Sequence, residues 1–101
     1  MANTFAYGRK SVGLSAIDSD YSIGDTLGAN VVPVINFILF KPGAVNDVID
    51  IRDGEGGPPL LCGTSVDGGP MFIAPCTECS PFLDYSACTL TTGAEVSIYW
   101  E

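Results

Sequence analysis

Residues 30–40 read NVVPVINFILF, and this run decides the fold. It is rich in β-branched and aromatic side chains, the composition of a strand. It is about half of the roughly 20 apolar residues that a membrane-spanning helix needs, and Pro33 and Asn36 interrupt it. The run is too apolar for a strand with one wet face. Either a neighbouring subunit covers its second face, or it bends between two sheets. Pro33 cannot donate a ladder hydrogen bond, so that point sits at an edge or a bulge. Lys41-Pro42-Gly43 stops the strand.

Working outward, residues 45–52 (VNDVIDIR) put Asp47, Ile49 and Ile51 on one parity, with Ile49 and Ile51 expected inward. The closing residues 95–101 (EVSIYWE) alternate most cleanly, with Val96, Ile98 and Trp100 on one face and Ser97, Tyr99 and Glu101 on the other. Residues 12–17, 21–23, 60–62, 71–74, 82–85 and 87–90 read as shorter strands, and 76–81 reads as a loop. Turn clusters separate them: Asp18-Ser19-Asp20, Asp53-Gly54-Glu55-Gly56-Gly57-Pro58-Pro59, Asp67-Gly68-Gly69-Pro70 and Thr92-Gly93. No apolar stripe runs at helical spacing over three turns. Short strands at intervals of about 8–12 residues predict an all-β fold, a small antiparallel β-sandwich of jelly-roll type with seven or eight short strands. Residues 1–12 are expected as an N-terminal arm or edge strand, and 13–101 as a single sandwich domain.

Composition excludes several functions. Twelve acidic and four basic side chains give a formal charge of −8. Nucleic acid is therefore not an expected partner, because binding it needs cations that release counterions. An anionic membrane surface is excluded on the same ground. Without histidine, the Ser-His-Asp and Cys-His forms of nucleophilic catalysis are out of reach, and so are His-containing metal sites. The reading is non-enzymatic, with no catalytic residues and no cofactor. The N-terminal residues lack the charged and apolar regions of a secretory signal, so synthesis in a reducing cytoplasm and free thiols are expected.

The side chains that carry chemistry are cysteines and carboxylates. Cys76-Thr77-Glu78-Cys79 forms one CxxC knuckle, while Cys62 and Cys88 stand alone. A tetrahedral zinc site usually pairs two knuckles, so no metal is the expectation, and a Cys62/Cys76/Cys79/Cys88 zinc site is the alternative. Asp18, Asp20 and Asp25 cluster at one turn, and Asp47, Asp50, Asp53 and Glu55 at another. Turn aspartates commonly bond to their own backbone, which is the reading preferred over calcium binding or catalysis. Gly54-Glu55-Gly56-Gly57 precedes two prolines rather than a helix and reads as a hairpin turn, not a phosphate loop.

Ten aromatic residues and many Ile, Val and Leu exceed what one small core takes up. The surplus is expected to be buried between subunits or against a larger partner. In this setting, Asn46-Asp47-Val48-Ile49-Asp50-Ile51-Arg52-Asp53-Gly54, Cys88-Thr89-Leu90-Thr91 and Val96-Ser97-Ile98-Tyr99-Trp100-Glu101 resemble a group of small bacteriophage virion proteins, the capsid cement or decoration proteins. The resemblance spans residues 31–101; the CxxC and the apolar 31–40 strand lie outside its shared pattern.

The resemblance implies a mechanical role on the outer capsid surface of a virion made in the host cytoplasm. Such a protein binds where capsomers meet, as a homo-oligomer with a trimer favoured, and contacts the major capsid protein. The contacts expected here are Phe5 and Tyr7 on the arm and Phe37, Leu39 and Phe40 on the apolar strand. Two alternatives accompany this reading. One is a receptor- or glycan-binding module of a tail or fibre, using Trp100 or tyrosines as a sugar platform. The other is the four-cysteine zinc domain.

Overall fold

The computed structural model describes residues 4–6, 10–15, 19–28 and 30–101. Ten strands lie among them: β1 (Thr4–Ala6), β2 (Ser11–Leu14), β3 (Tyr21–Ser22), β4 (Val34–Lys41), β5 (Asp47–Asp53), β6 (Pro59–Ser65), β7 (Met71–Ile73), β8 (Thr77–Glu78), β9 (Pro81–Leu83) and β10 (Glu95–Trp100). A one-turn helix, α1 (Gly24–Leu27), and a 3-10 turn at Tyr85–Ala87 complete the elements. The all-β expectation holds. The strand number exceeds the expected seven or eight by two short strands: β1, three residues in the expected arm or edge strand, and β8, two residues inside the expected loop at 76–81. The expected strand at 87–90 is instead the end of the 3-10 turn and one isolated bridge, Val48 to Thr89.

The strands form two antiparallel sheets. The first runs β1-β2-β10-β4-β7, with β8 also pairing along β4. The second runs β3-β9-β5-β6. The pairs are nested: β5 with β6, β4 with β7, β3 with β9 and β2 with β10. The chain is therefore one long ribbon doubled at the β5–β6 hairpin, its successive pairs shared between the two sheets. Thr4–Ala6 form an edge strand, with Phe5 opposite Val12.

Alternation decides which side chains enter the core. Val12 and Leu14 on β2, Ile35, Ile38 and Phe40 on β4, and Val96, Ile98 and Trp100 on β10 face inward from the first sheet. Ile49 and Ile51 on β5, Leu61 on β6 and Leu83 on β9 meet them from the second, in one continuous cluster. The inward placement of Ile49, Ile51, Val96, Ile98 and Trp100 agrees with their alternation in the sequence. Each fully buried Ile, Leu or Phe contributes about 1.5–3 kcal/mol relative to exposure.

β4 stays within one sheet, so the apolar run does not bend between two. Its parity changes within the strand. Tyr99 pairs with Phe37 but Trp100 pairs with Ile35, which leaves Asn36 as an extra residue. This bulge lets Ile35, Ile38 and Phe40 all face the core. Pro33 lies just before the strand, where its missing N–H costs no ladder bond, and its carbonyl accepts from Cys79 N–H at 3.2 Å.

Candidate functional site: an uncharged aromatic face

The Asn36 bulge also sets what faces outward. Phe37 and Leu39 lie on the outer side of the first sheet. Phe40 does not: it is fully buried, which corrects its expected role as a partner contact. Pairing brings in side chains that the sequence left scattered. Leu39 stands opposite Phe72 of β7 on one side and Ser97 of β10 on the other. Phe37 stands opposite Tyr99. The Phe37 and Phe72 rings stack with centroids 5.4 Å apart, and Tyr99 lies tilted at 6.1 Å from Phe37. Phe72 is 63 % exposed and Tyr99 41 %. Phe37, Leu39, Phe72 and Tyr99 thus form a continuous apolar surface. Along the described strand registers, charged residues occur at its ends, where Lys41 faces Glu95 and Glu78 faces Val34.

Phe72 was legible only as part of the aromatic surplus, whereas alternation in 95–101 already sets Tyr99 opposite the inward face. Their joining depends on the β4–β7 and β4–β10 registers. Of the two arm residues, Phe5 sits on the edge strand β1, but its side chain and all of Tyr7 lie outside the described residues. Trp100 is only 6 % exposed and packs in the core, so it supplies no sugar platform.

The outer face of the second sheet differs in chemistry. Arg52 Nε donates to Asp50 Oδ1 at 2.9 Å, and its guanidinium also donates to the Gly57 carbonyl at 3.3 Å. Cys62 pairs across from Asp50. Asp50 N–H donates to Cys88 Sγ at 3.3 Å. The Asp84 carboxylate accepts from Ser86 N–H and hydroxyl, and Asp20 accepts from Tyr85 N–H. Asp84 thus serves its own turn, as turn chemistry predicts, whereas Asp20 ties to the distant Tyr85 and Asp50 holds a part-buried ion pair.

The four cysteines are free and do not gather. Cys62 and Cys88 border β5, whereas Cys76 N–H donates to Ile35 O and Cys79 N–H to Pro33 O, at the start of β4. No group of three or more Cys, Asp or Glu side chains arranged to hold a metal occurs among the described residues. A site using Cys62, Cys76, Cys79 and Cys88 together is thereby corrected: the fold separates the CxxC from the other two. Burial, reinforced by Asp53, pushes the Cys79 thiol up to about 11. Burial likewise pushes Cys88 up to about 11, against the hydrogen bond from Asp50 N–H. Because the thiolate is the reactive form, an alkylating reagent at neutral pH is expected to label exposed Cys62 and Cys76 first. Peptide mass mapping should find buried Cys79 labelled only after denaturation and half-buried Cys88 more slowly than Cys62 and Cys76; early labelling of Cys79 would contradict its placement.

Asp47 is the exception among the carboxylates, being charged yet only 1 % exposed. Its Oδ2 accepts from Gly43 N–H at 2.8 Å, Thr91 hydroxyl at 2.9 Å, Ala44 N–H at 3.2 Å and Thr91 N–H at 3.4 Å. It therefore pins the 41–47 loop to the 91–92 loop. Gly43 is required there, since a Cβ would lie 2.6 Å from both Thr91 Oγ1 and Thr92 O. Through these bonds Asp47 acts as a clamp between the two loops. Comparisons of the chain with family models, with curated proteins and with solved structures found no match.

Proposed function

We propose that this protein is a non-enzymatic virion structural protein, a capsid cement or decoration protein that holds a shell through protein–protein contacts. The observation that carries the reading is the uncharged aromatic face of Phe37, Leu39, Phe72 and Tyr99, set on a rigid sheet. An exposed contiguous apolar surface of this kind marks an interaction site, and aromatic side chains are the usual anchors of protein interfaces. The nested strand pairs give the order β2-β10-β4-β7 over β3-β9-β5-β6, the order expected of a jelly roll. That architecture is used by viral shells and by lectins, so it agrees with the reading without singling it out.

The partner is the major capsid protein, met at the outer surface of the virion, together with further copies of this chain. No cofactor, nucleic acid or membrane enters the role. A charge of −8 suits a surface facing away from packaged DNA.

The test is cosedimentation with empty capsids of a phage that encodes the chain. The intact protein is expected to pellet with the shells and to raise their melting temperature. Phe72→Asp places a charge in the centre of the aromatic face and is expected to weaken binding by about 100-fold or more, the range of an interface hot spot. Unchanged binding by a folded Phe72→Asp variant would remove the aromatic face from the account. Failure of the intact chain to bind any such shell would remove the cement role itself.

A further inference from the structure

The two sheets have four kinds of edge, and they are not alike. β3 ends the second sheet with two residues, β1 ends the first with three, and β7 and β8 share the other side of β4 with three and two. Short edges of this kind resist pairing with another chain. β6 is different: it runs seven residues, Pro59–Ser65, regular from Leu61 onward after a bulge at Leu60, and no other described strand hydrogen-bonds along its outer side, although β7 packs close by with Met71 against Gly63.

The direction of its backbone groups follows from β5. Val48 N–H donates to Thr89 O at 2.9 Å and Val48 O accepts from Thr89 N–H at 3.0 Å. Asp50 O accepts from Asp84 N–H at 3.1 Å, and Asp50 N–H donates to Cys88 Sγ. Val48 and Asp50 therefore turn their backbone groups away from β6. Their partners across the ladder are Thr64 and Cys62. In an antiparallel ladder such pairs are the ones without mutual hydrogen bonds, so Thr64 and Cys62 direct their N–H and C=O groups outward from the free edge. The devices that blunt an edge, a lysine, a bulge or a mid-strand proline, are missing between Leu61 and Ser65. Cys62 and Thr64 are uncharged and exposed, and Val66, just beyond, is 73 % exposed.

We infer that β6 is a self-pairing edge, at which a second copy of this chain adds its own β6 antiparallel across a twofold axis. With the axis at Gly63, Cys62 of one copy stands opposite Thr64 of the other. Each such pair exchanges two N–H···O=C bonds, and the two symmetric pairs use all four groups at Cys62 and all four at Thr64 in the two copies. Gly63 brings no side chain to the axis. The seam carries no acidic residue of a chain whose charge is −8, so two copies meet there without direct like-charge opposition. The contact is isologous and closes as a dimer, which departs from the trimer that the resemblance implies. It extends the second sheet across the seam and leaves the aromatic face of the first sheet free for a different partner.

The test reads amide hydrogen exchange of the purified full chain against its concentration, beside native mass spectrometry. The expected result is a dimer in which the Cys62 and Thr64 amides slow by on the order of tenfold or more as it forms, as for newly bonded backbone groups. Thr64→Lys places a charge at the seam and is expected to weaken the dimer by about tenfold or more, while Phe72→Ser leaves it intact. A chain monomeric at every concentration overturns the inference. So does an oligomer in which these two amides stay fast, or one lost in Phe72→Ser and kept in Thr64→Lys. Shell binding is read in neither measurement, so its failure leaves this result standing.

Discussion

Asp47→Ala is expected to lower stability by about 2–4 kcal/mol, since it strands several loop donors at once. Oδ2 alone accepts four hydrogen bonds from Gly43, Ala44 and Thr91. Removing it leaves those donors facing a cavity between two loops that Gly43 already brings into tight contact. Asp47→Asn keeps an acceptor and the shape but loses the charge, so a smaller loss is expected. Charge-assisted bonds are about twice as strong as neutral ones. Urea unfolding followed by Trp100 fluorescence measures both.

The same residue sets an acid dependence. Burial pushes the Asp47 carboxyl up, but the hydrogen bonds from Gly43, Thr91 and Ala44 outweigh it, and the folded value lies below the ordinary one. A carboxyl depressed on folding contributes its full stability above its unfolded pKa and loses it as pH falls through the folded one. Wild-type stability should therefore drop as pH falls below about 4. The difference between wild type and Asp47→Asn should shrink over that range. A difference that stayed constant from pH 6 to pH 2 would contradict a charged clamp.

Phe40→Ala is expected to be the most damaging single change in the core. Phe40 is fully buried in the centre of the cluster shared by the two sheets. Truncating a buried Phe costs about 3–5 kcal/mol in lost transfer energy and cavity, a fall in melting temperature on the order of 12 °C or more for a domain of this size. Phe72→Ser is the contrast. At 63 % exposure, Phe72 should cost the isolated chain about 0.5 kcal/mol or less, the ordinary range for surface changes. Thermal melts of the two variants separate the faces of one sheet. Similar losses in both would mean that the outer face is covered within a single chain.

That contrast also marks where the sequence was legible. Residues 95–101 and 45–52 announced their inward faces because regular alternation survives in both strands. β4 did not, because Asn36 is inserted as a bulge. A single extra residue flips parity without leaving any compositional trace, and the uniformly apolar run read as covered on both faces, so Phe40 was grouped with Phe37 and Leu39 although regular alternation turns it inward. The 24–27 helix and the 3-10 turn at 85–87 are too short to show a period. The aromatic surplus pointed to an apolar surface, but its membership rests on pairing between β4, β7 and β10, which are far apart in the chain. Asp47 sat on the inward parity with Ile49 and Ile51, and that was the available sign of its burial. The free edge of β6 could not be read from sequence at all, because an edge is defined by the strands that are not beside it.

The most direct measurement of the central claim is hydroxyl-radical footprinting of the protein free and bound to capsid shells. Phe37, Phe72 and Tyr99 should be oxidised readily in the free protein and strongly protected in the bound one, while exposed Tyr85, whose backbone belongs to the second-sheet side, keeps its reactivity. A bound protein in which Phe72 and Tyr99 remain as reactive as in solution would contradict the assignment of the aromatic face to shell binding.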